Sequence, residues 1–320
     1  MLVTEQGGSV DREKPLVVLL GPTGSGKSDL ALSLAEHFAG EIVNCDSVQV
    51  YTGLDIGSAK LPTADRRGIL HHLIDVADGA REFNAGDYSR EARDALAEIA
   101  SRKTLPIVCG GTGLYLRALL CGLSPAPARD RDLRARLNRI AELRPSTLHR
   151  LLKARDAAAA SRIHPNDMQK LTRALEITYL AGEATSTVQN RPRNPLCGYR
   201  ILKIGLNPDR RQLYERLDRR SAAIFGTGIV EETTRLLSAG YQADSKALQS
   251  LGYRQALKVI HRQMTQAEAL RECQTKTRQY AKRQITWFRA EKNVHWVPAF
   301  GDLEWVRAEA RSLVTDFLAA

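Results

Sequence analysis

The stretch that decides the fold is "LLGPTGSGKSDLAL", residues 19–32 of a 320-residue chain. Residues 21–28 within it match G-x-x-x-x-G-K-[ST], the pattern of a phosphate-binding loop (hereafter the P-loop). The apolar run at 15–20 is typical of a buried strand, and residues 28–40 have the spacing of a helix. A loop of this kind between a strand and a helix predicts phosphate binding at the helix N-terminus.

The residue types of the P-loop explain its chemistry. Glycines let successive backbone N–H groups converge on phosphate oxygens, and the helix dipole adds to the attraction. Lys27 can neutralise the charge of the terminal phosphate, and the Ser28 hydroxyl can ligate Mg²⁺. The predicted phosphate-binding residues are Gly21, Pro22, Thr23, Gly24, Ser25, Gly26, Lys27 and Ser28.

The P-loop does not identify the molecule that carries the phosphate, although such loops usually bind ATP or GTP. Hydrolysis of a nucleoside triphosphate also needs a second carboxylate for Mg²⁺ and a group that orients water. The strand at 105–111 ends in glycine where an acidic residue would be expected, which leaves Asp75 as the candidate carboxylate.

Strand and helix patterns alternate over the first 120 residues and predict an α/β fold, a P-loop NTPase-like parallel sheet flanked by helices. After the P-loop and its helix, we predict strands at 41–46, 71–76, 105–111 and 199–206 and a helix at 88–103. From Pro208 onward the pattern is mostly helical.

A proline-containing linker, "LSPAPARD" at 123–130, marks a change of character, because the following residues are helical and rich in arginine. We therefore predict a disordered N-terminus (1–14) and an inserted, mainly helical domain (126–190). The catalytic core with its C-terminal helices comprises 15–125 and 191–320.

The charge and cysteine content narrow the class of protein. A net charge of +11 favours a partner such as nucleic acid or an anionic membrane, although a basic surface alone would also explain it. Five scattered cysteines without a C-x-x-C pair argue against a disulfide framework or a zinc cluster. No apolar run is long enough to cross a bilayer, so we expect a soluble, cytoplasmic protein.

Two further residues lie where predicted strands end. Asp46 follows the second strand, and ligands of open α/β sheets bind at the carboxyl edge. Its carboxylate can bind Mg²⁺, accept a proton from a nucleophile or simply stabilise a turn. Thr112 lies in the glycine turn "GGTGLY" (110–115), where it can contact a ligand or cap the next helix.

Several segments in this order resemble the bacterial tRNA dimethylallyltransferase family, also called tRNA isopentenyltransferases. They are "GPTGSGKS", "DSVQVYTGLDIGSAK", "HHLID", "GGTGLY", "QKLTRALE", "LGYRQAL" and "TRQYAKRQITWFR", and the resemblance covers residues 15–297. The P-loop alone is unspecific, whereas the full set at this spacing is highly specific.

The resemblance implies transfer of a dimethylallyl group from dimethylallyl diphosphate to N6 of adenosine-37, in tRNAs that read codons starting with U. It implies that Asp46 is the general base, with Thr112 and Arg220 as further catalytic residues. The P-loop and Arg220 would hold the diphosphate, with Arg216 one turn earlier and Mg²⁺ at Ser28. We further expect a monomer that binds the tRNA anticodon stem-loop.

The resemblance also implies contacts with tRNA. The target nucleotide would meet Thr112 and the segment 46–49, and Arg134 would contact tRNA from the helical insertion, which is itself basic. The full predicted set is Asp46, Ser47, Val48, Gln49, Thr112, Arg134, Gln169, Lys170, Leu171, Thr172, Arg173, Gln249, Ser250, Leu251, Gly252, Tyr253 and Arg254.

The last long helix offers a further basic face. At 100° per residue, Arg278, Lys282 and Arg289 lie within about 40° of one another and can face RNA phosphates. Trp287 and Phe288 fall on the other side, and we expect both in the core. The sequence departs from the family pattern at Thr52, Leu61, Leu70 and Lys170, which affects fine contacts with tRNA rather than the reaction.

Two other classes of protein share the P-loop. A small-molecule kinase would use ATP as phosphoryl donor and would not need the basic charge. A non-catalytic P-loop protein would bind tRNA without prenyl transfer.

Overall fold

The computed structural model describes residues 13–79, 82–144 and 146–320, which form two compact units. The larger unit contains the described residues up to Leu120 together with Leu196–Ala320, and the smaller unit is Cys121–Pro195. The sequence predicted the insertion at 126–190. The predicted disorder of residues 1–12 lies outside the described residues, whereas Lys14, assigned to the same segment, begins the first strand.

The larger unit is built on a sheet whose described strands all run parallel, in the order β3-β2-β4-β1-β5-β6. This arrangement confirms the predicted α/β class. The strands are β1 (Lys14–Leu20), β2 (Gly40–Asn44), β3 (His71–His72), β4 (Leu105–Cys109), β5 (Tyr199–Leu206) and β6 (Val294–Val297).

Helices cover both faces of the sheet and also form the smaller unit. No helix of the described residues is both long and apolar enough to span a membrane. The helices are α1 (Lys27–His37), α2 (Ala85–Ser101), α3 (Gly113–Cys121), α4 (Arg131–Leu143), α5 (Thr147–Arg155), α6 (Ala157–Arg162), α7 (Met168–Ala181), α8 (Thr185–Gln189), α9 (Arg210–Gly226), α10 (Ile229–Ser238), α11 (Tyr253–Ile260), α12 (Gln266–Phe288) and α13 (Glu304–Ala319).

Strand β1 lies in the middle of the sheet because both of its faces are apolar. Leu16, Val18 and Leu20 pack into the core on one side of the sheet. Val17 and Leu19 pack into the core on the other side. Burial of both faces is typical of parallel sheets, and the central position places the P-loop between the ends of β4 and β5.

Two predicted elements differ from the structure, and one strand was not predicted. The strand predicted at 71–76 ends at His72, because Leu73 and Asp75 adopt the left-handed backbone conformation. Helix α2 begins three residues before the predicted position, since Asn84 and Asp87 form a capping box. Strand β6 was missed, because a short, mostly exposed edge strand carries little apolar signal.

The smaller unit has its own apolar core, formed by residues such as Leu137, Leu148 and Leu175. Within it, Glu176 is fully buried and accepts hydrogen bonds from Arg134 and Arg173, the latter at 2.6 Å. A buried carboxylate needs such partners. Arg134 joins α4 to α7, whereas Arg173 lies on α7 together with Glu176.

Glu41 of β2 ties the sheet to the end of α2. Its carboxylate accepts hydrogen bonds from Arg102 and Thr104 and contacts His72 at 2.7 Å. These contacts, above all the one with Arg102, lower the pKa of Glu41 to about 2.

Replacing Glu41→Gln should lower the free energy of unfolding at pH 7 by about 1–3 kcal/mol, because charge-assisted bonds are lost in a buried place. The stabilisation by the carboxylate is complete above its unfolded pKa of 4.5 and is lost as the pH falls towards 2. Urea unfolding of both proteins across this range should therefore show a shrinking difference.

Glu98→Gln is the matched control, because Glu98 also binds Arg102 but its side chain is 62% exposed. We expect it to change stability by less than about 0.5 kcal/mol. A difference for Glu41→Gln that does not change with pH would contradict the role of the carboxylate.

Candidate active site

The P-loop ends in a helix N-terminus that no side chain caps. Gly26 is the N-cap, with φ at 85°, and a side chain there would collide with the backbone of Gly301 and with Asp302. The first N–H groups of α1 therefore lack the side-chain acceptor that helices ordinarily recruit. An anion is the natural acceptor for such groups.

Lys27 is almost fully buried, and its ammonium group donates to the carbonyl oxygen of Pro22 at 2.7 Å. Burial lowers the pKa of Lys27 to about 8. No carboxylate of the described residues forms an ion pair with it, so an incoming phosphate would supply the missing negative charge.

A cavity of about 930 Å³ lies at the carboxyl edge of the sheet, beside the P-loop. Lys27 and Ser28 line it at one side, and Asp46 follows β2. Arg220 reaches it from α9. Of the predicted phosphate-binding and catalytic residues, the cavity is lined by Asp46, Arg220, Thr23, Gly24, Gly26, Lys27 and Ser28. It is not lined by Gly21, Pro22, Ser25 or Thr112.

The two arginines predicted on α9 differ in their partners. Arg216 binds both carboxylate oxygens of Asp302, at 2.8 and 3.1 Å, and lies over the ring of Phe300. Arg220 has no ion-pair partner among the described residues, and burial lowers its pKa. Arg220 is therefore the better candidate for binding an anion in the cavity.

Asp46 is held in a tight turn, here called the Asp46 loop (residues 45–49). Its Oδ1 accepts hydrogen bonds from the backbone N–H groups of Val48 (2.8 Å) and Gln49 (3.3 Å). Its Oδ2 accepts none from the described residues. One oxygen therefore orients the carboxylate, and the other remains available for a proton or a cation.

The Thr112 loop (residues 110–112) supports the Asp46 loop from the end of β4. The Thr112 hydroxyl accepts from the N–H of Ser47 at 3.0 Å, and the Thr112 N–H donates to the Cys45 carbonyl at 3.1 Å. A side chain at Gly110 would overlap the backbone of Cys45, so glycine is required. Thr112 thus binds the residues on both sides of Asp46 through its hydroxyl and N–H, while its carbonyl oxygen accepts the first hydrogen bonds of α3, from Tyr115 and Leu116.

The segment 249–254 borders a second cavity, of about 660 Å³, in the larger unit. Gln249 and Arg254 are exposed, whereas Gly252 and Tyr253 are buried. The Tyr253 hydroxyl donates a hydrogen bond to the buried Glu232 at 2.6 Å, so the Tyr253 side chain contributes to the core. The other members, Ser250 and Leu251, are partly exposed.

In the smaller unit, the segment 169–173 also contains both exposed and buried residues. Gln169 and Lys170 are exposed, whereas Leu171 and Thr172 are buried, so these last two side chains serve the core rather than the surface. Arg173, like Arg134, is engaged with Glu176 as described above.

Only part of the predicted basic face of α12 is available to bind RNA phosphates. Lys282 and Arg289 are exposed, but Arg278 forms an ion pair with Asp218. Phe288 is buried as expected. The expectation for Trp287 is wrong: it is 41% exposed, although its ring packs over Gly113.

Sequence reasoning missed two residues at the cavity and misplaced another. Gln284 of α12 and Asp302, which follows β6, line the cavity beside the P-loop. Gln284 falls inside the segment "TRQYAKRQITWFR", but one amide there carries no signal of its own. Asp75, the candidate second carboxylate for Mg²⁺, instead pairs with Lys60 at 2.6 Å.

An uncapped P-loop helix at the carboxyl edge of a parallel sheet defines a P-loop NTPase-like protein. Two family models match the chain, one described as IPP transferase over residues 49–291 and one as isopentenyl transferase over 14–76. The chain belongs to the IPP transferase family, which confirms the resemblance.

Relatives and solved structures agree with the family. The tRNA dimethylallyltransferase of Solibacter usitatus is 51% identical, covering 95% of this chain and 99% of its own. That of Koribacter versatilis is 50% identical, covering 93% and 97%. The tRNA isopentenylpyrophosphate transferase of Bacillus halodurans superposes with a TM-score of 0.70 at 34% identity, covering 95% and 96%. A eukaryotic dimethylallyltransferase acting on tRNA superposes with a TM-score of 0.80 at 28% sequence identity. The match covers 96% of this chain and 80% of that one.

Arg220→Met should reduce kcat/KM for a diphosphate donor by about 10²–10³-fold, because an unpaired cation aimed at developing negative charge is lost. Binding of inorganic diphosphate, measured by calorimetry, should weaken in parallel. Arg211→Met on the same helix is the control, since Arg211 is exposed and pairs only with Glu215. Equal effects of the two substitutions would remove Arg220 from the anion site.

Proposed function

We propose that this protein transfers a dimethylallyl group from dimethylallyl diphosphate to N6 of adenosine-37 of tRNA, next to the anticodon. The observation that carries the proposal is a single cavity lined by two groups of residues. P-loop residues, including Lys27, and Arg220 offer an anion site, and Asp46 lines the same cavity. The family membership agrees with this chemistry.

On the donor side, the allylic carbon can bear positive charge, so its bond to the diphosphate oxygen breaks early. Negative charge then accumulates on the leaving diphosphate. The N–H groups at the start of α1, the Lys27 ammonium and the Arg220 guanidinium stabilise that charge. These groups stabilise the transition state most, because negative charge on the leaving diphosphate increases as its bond to carbon breaks.

On the acceptor side, the N6 amine of adenine is a weak nucleophile because its lone pair is delocalised into the ring. Asp46 accepts one N6 proton through Oδ2 as the new C–N bond forms. Val48 and Gln49 keep the carboxylate oriented through Oδ1, and Thr112 holds the Asp46 loop in place. The target base leaves its stack to reach this position.

Mg²⁺ fits the oxygen ligands of the cavity. Ser28 offers a hydroxyl at the start of α1, and the exposed carboxylate of Asp29 lines the same space. A protein site with few ligands suits Mg²⁺, which keeps several waters and binds substrate phosphates. When bound, it would neutralise part of the charge on the diphosphate.

The partner is the anticodon stem-loop of tRNAs that read codons starting with U. Exposed residues of the predicted contact segments support this proposal, namely Gln249, Arg254, Gln169 and Lys170, together with Lys282 and Arg289 of α12. The four cations among them, Arg254, Lys170, Lys282 and Arg289, would release counterions from RNA, so binding should weaken with salt. We further propose a cytoplasmic monomer.

Asp46→Asn should lower the single-turnover rate of prenyl transfer by about 10²–10⁴-fold while tRNA affinity changes by less than about threefold, because only proton acceptance is lost. The assay uses labelled dimethylallyl diphosphate, Mg²⁺ and an unmodified tRNA containing A36-A37-A38. Asp65→Asn is the control, an exposed carboxylate in the short helix Thr63–Arg66.

Absence of label on RNA with the wild-type protein would refute the proposed function. Turnover of ATP with a small acceptor would favour a kinase, and tRNA binding without transfer would favour a non-catalytic protein. A near-normal rate for Asp46→Asn would remove Asp46 from the mechanism but leave the activity intact.

Ser28→Ala should raise the Mg²⁺ concentration needed for half-maximal activity by about tenfold, because one oxygen ligand is lost. Ser28→Thr retains the hydroxyl and should behave like the wild type. An unchanged Mg²⁺ requirement for Ser28→Ala would exclude Ser28 as a ligand.

A further inference from the structure

Gln284 connects the P-loop to the Thr112 loop through the two ends of one amide. The Thr23 N–H donates to Gln284 Oε1 at 2.8 Å, and Gln284 Nε2 donates to the Gly111 carbonyl at 2.7 Å. The side chain is only 5% exposed. Two loops that are remote in sequence are therefore held by one side chain from α12.

The two partners require a primary amide at this position. Thr23 presents a donor and Gly111 an acceptor, so the bridging group needs one oxygen and one N–H on the same plane. Glutamate cannot donate when ionised, and methionine can make neither bond. A side chain at Gly111 would collide with the amide, so the fit is close on both sides.

A continuous set of contacts runs from Gln284 to Asp46. Gly111 precedes Thr112, whose backbone and hydroxyl bind Cys45 and Ser47 on either side of Asp46. Helix α12 thus supports the Thr112 loop through Gln284.

We propose that Gln284 is a positioning residue that sets the distance between the diphosphate site and Asp46. This inference rests on the roles given above to the P-loop and Asp46. The reacting carbon is attached to the diphosphate, and the attacking nitrogen is held by Asp46, so their separation depends on the two loops. A small error in such a separation slows the chemical step while leaving binding of each substrate intact.

The test compares Gln284→Met with the matched control Gln274→Met. Gln274 lies on the same helix and donates one hydrogen bond to the Asp218 carbonyl, away from the cavity. We expect Gln284→Met to lower the single-turnover rate by about 10–100-fold. The KM values for dimethylallyl diphosphate and tRNA should change by less than about threefold, and Gln274→Met should leave the rate unchanged.

A second measurement asks whether Gln284 acts through Thr112. In a Thr112→Val background, Gln284→Met should cost less than about threefold in rate, because the path to Asp46 is already broken. Gln284→Glu keeps the bond from Thr23 and loses the bond to Gly111, so it should resemble Gln284→Met. Gln284→Glu also replaces Gln284→Met in this test if Gln284→Met fails to fold.

Three results would overturn the inference: an unchanged rate, a loss matched by Gln274→Met, or full additivity with Thr112→Val. An active wild type with an unaffected Gln284→Met overturns this inference alone. A wild type without prenyl transfer overturns the proposed function as well.

Discussion

The site depends on positive charge that the protein leaves without an acidic partner at the end of β1. The first turn of α1 has no capping side chain, and the Lys27 ammonium meets only a carbonyl oxygen. Arg220 has no ion-pair partner among the described residues. Burial of such groups is unfavourable until an anion joins them, so a bound diphosphate would stabilise the P-loop and the cavity around it.

The order of the strands then determines where the acceptor chemistry lies. Strand β4 separates β1 from β2, so the P-loop and Asp46 follow strands that are two positions apart. Neighbouring strands are about 4.8 Å apart, which places the two strand ends about 10 Å apart. The cavity of about 930 Å³ spans this separation, since both Lys27 and Asp46 line it.

The sequence predicted the elements with strong local patterns. The P-loop and β5 occur at the predicted positions, because a fixed motif and a strand-like local pattern need no distant partner. It failed for Trp287, which is partly exposed although its ring packs against Gly113, and for Asp75, which pairs with Lys60. Leu171 and Tyr253 lie in family segments, but only the structure shows that their side chains are buried.

By itself the sequence determined the fold class, the P-loop and the family, because each depends on residues that are close along the chain or occur in a fixed order. Only the tertiary structure decided which arginine is free, how Asp46 is oriented and what joins the two sides of the cavity. Gln284 is the clearest case: it lies 261 residues from Thr23 and 173 from Gly111. An amide has no preferred spacing in sequence, so its role exists only where folding brings a donor and an acceptor to it.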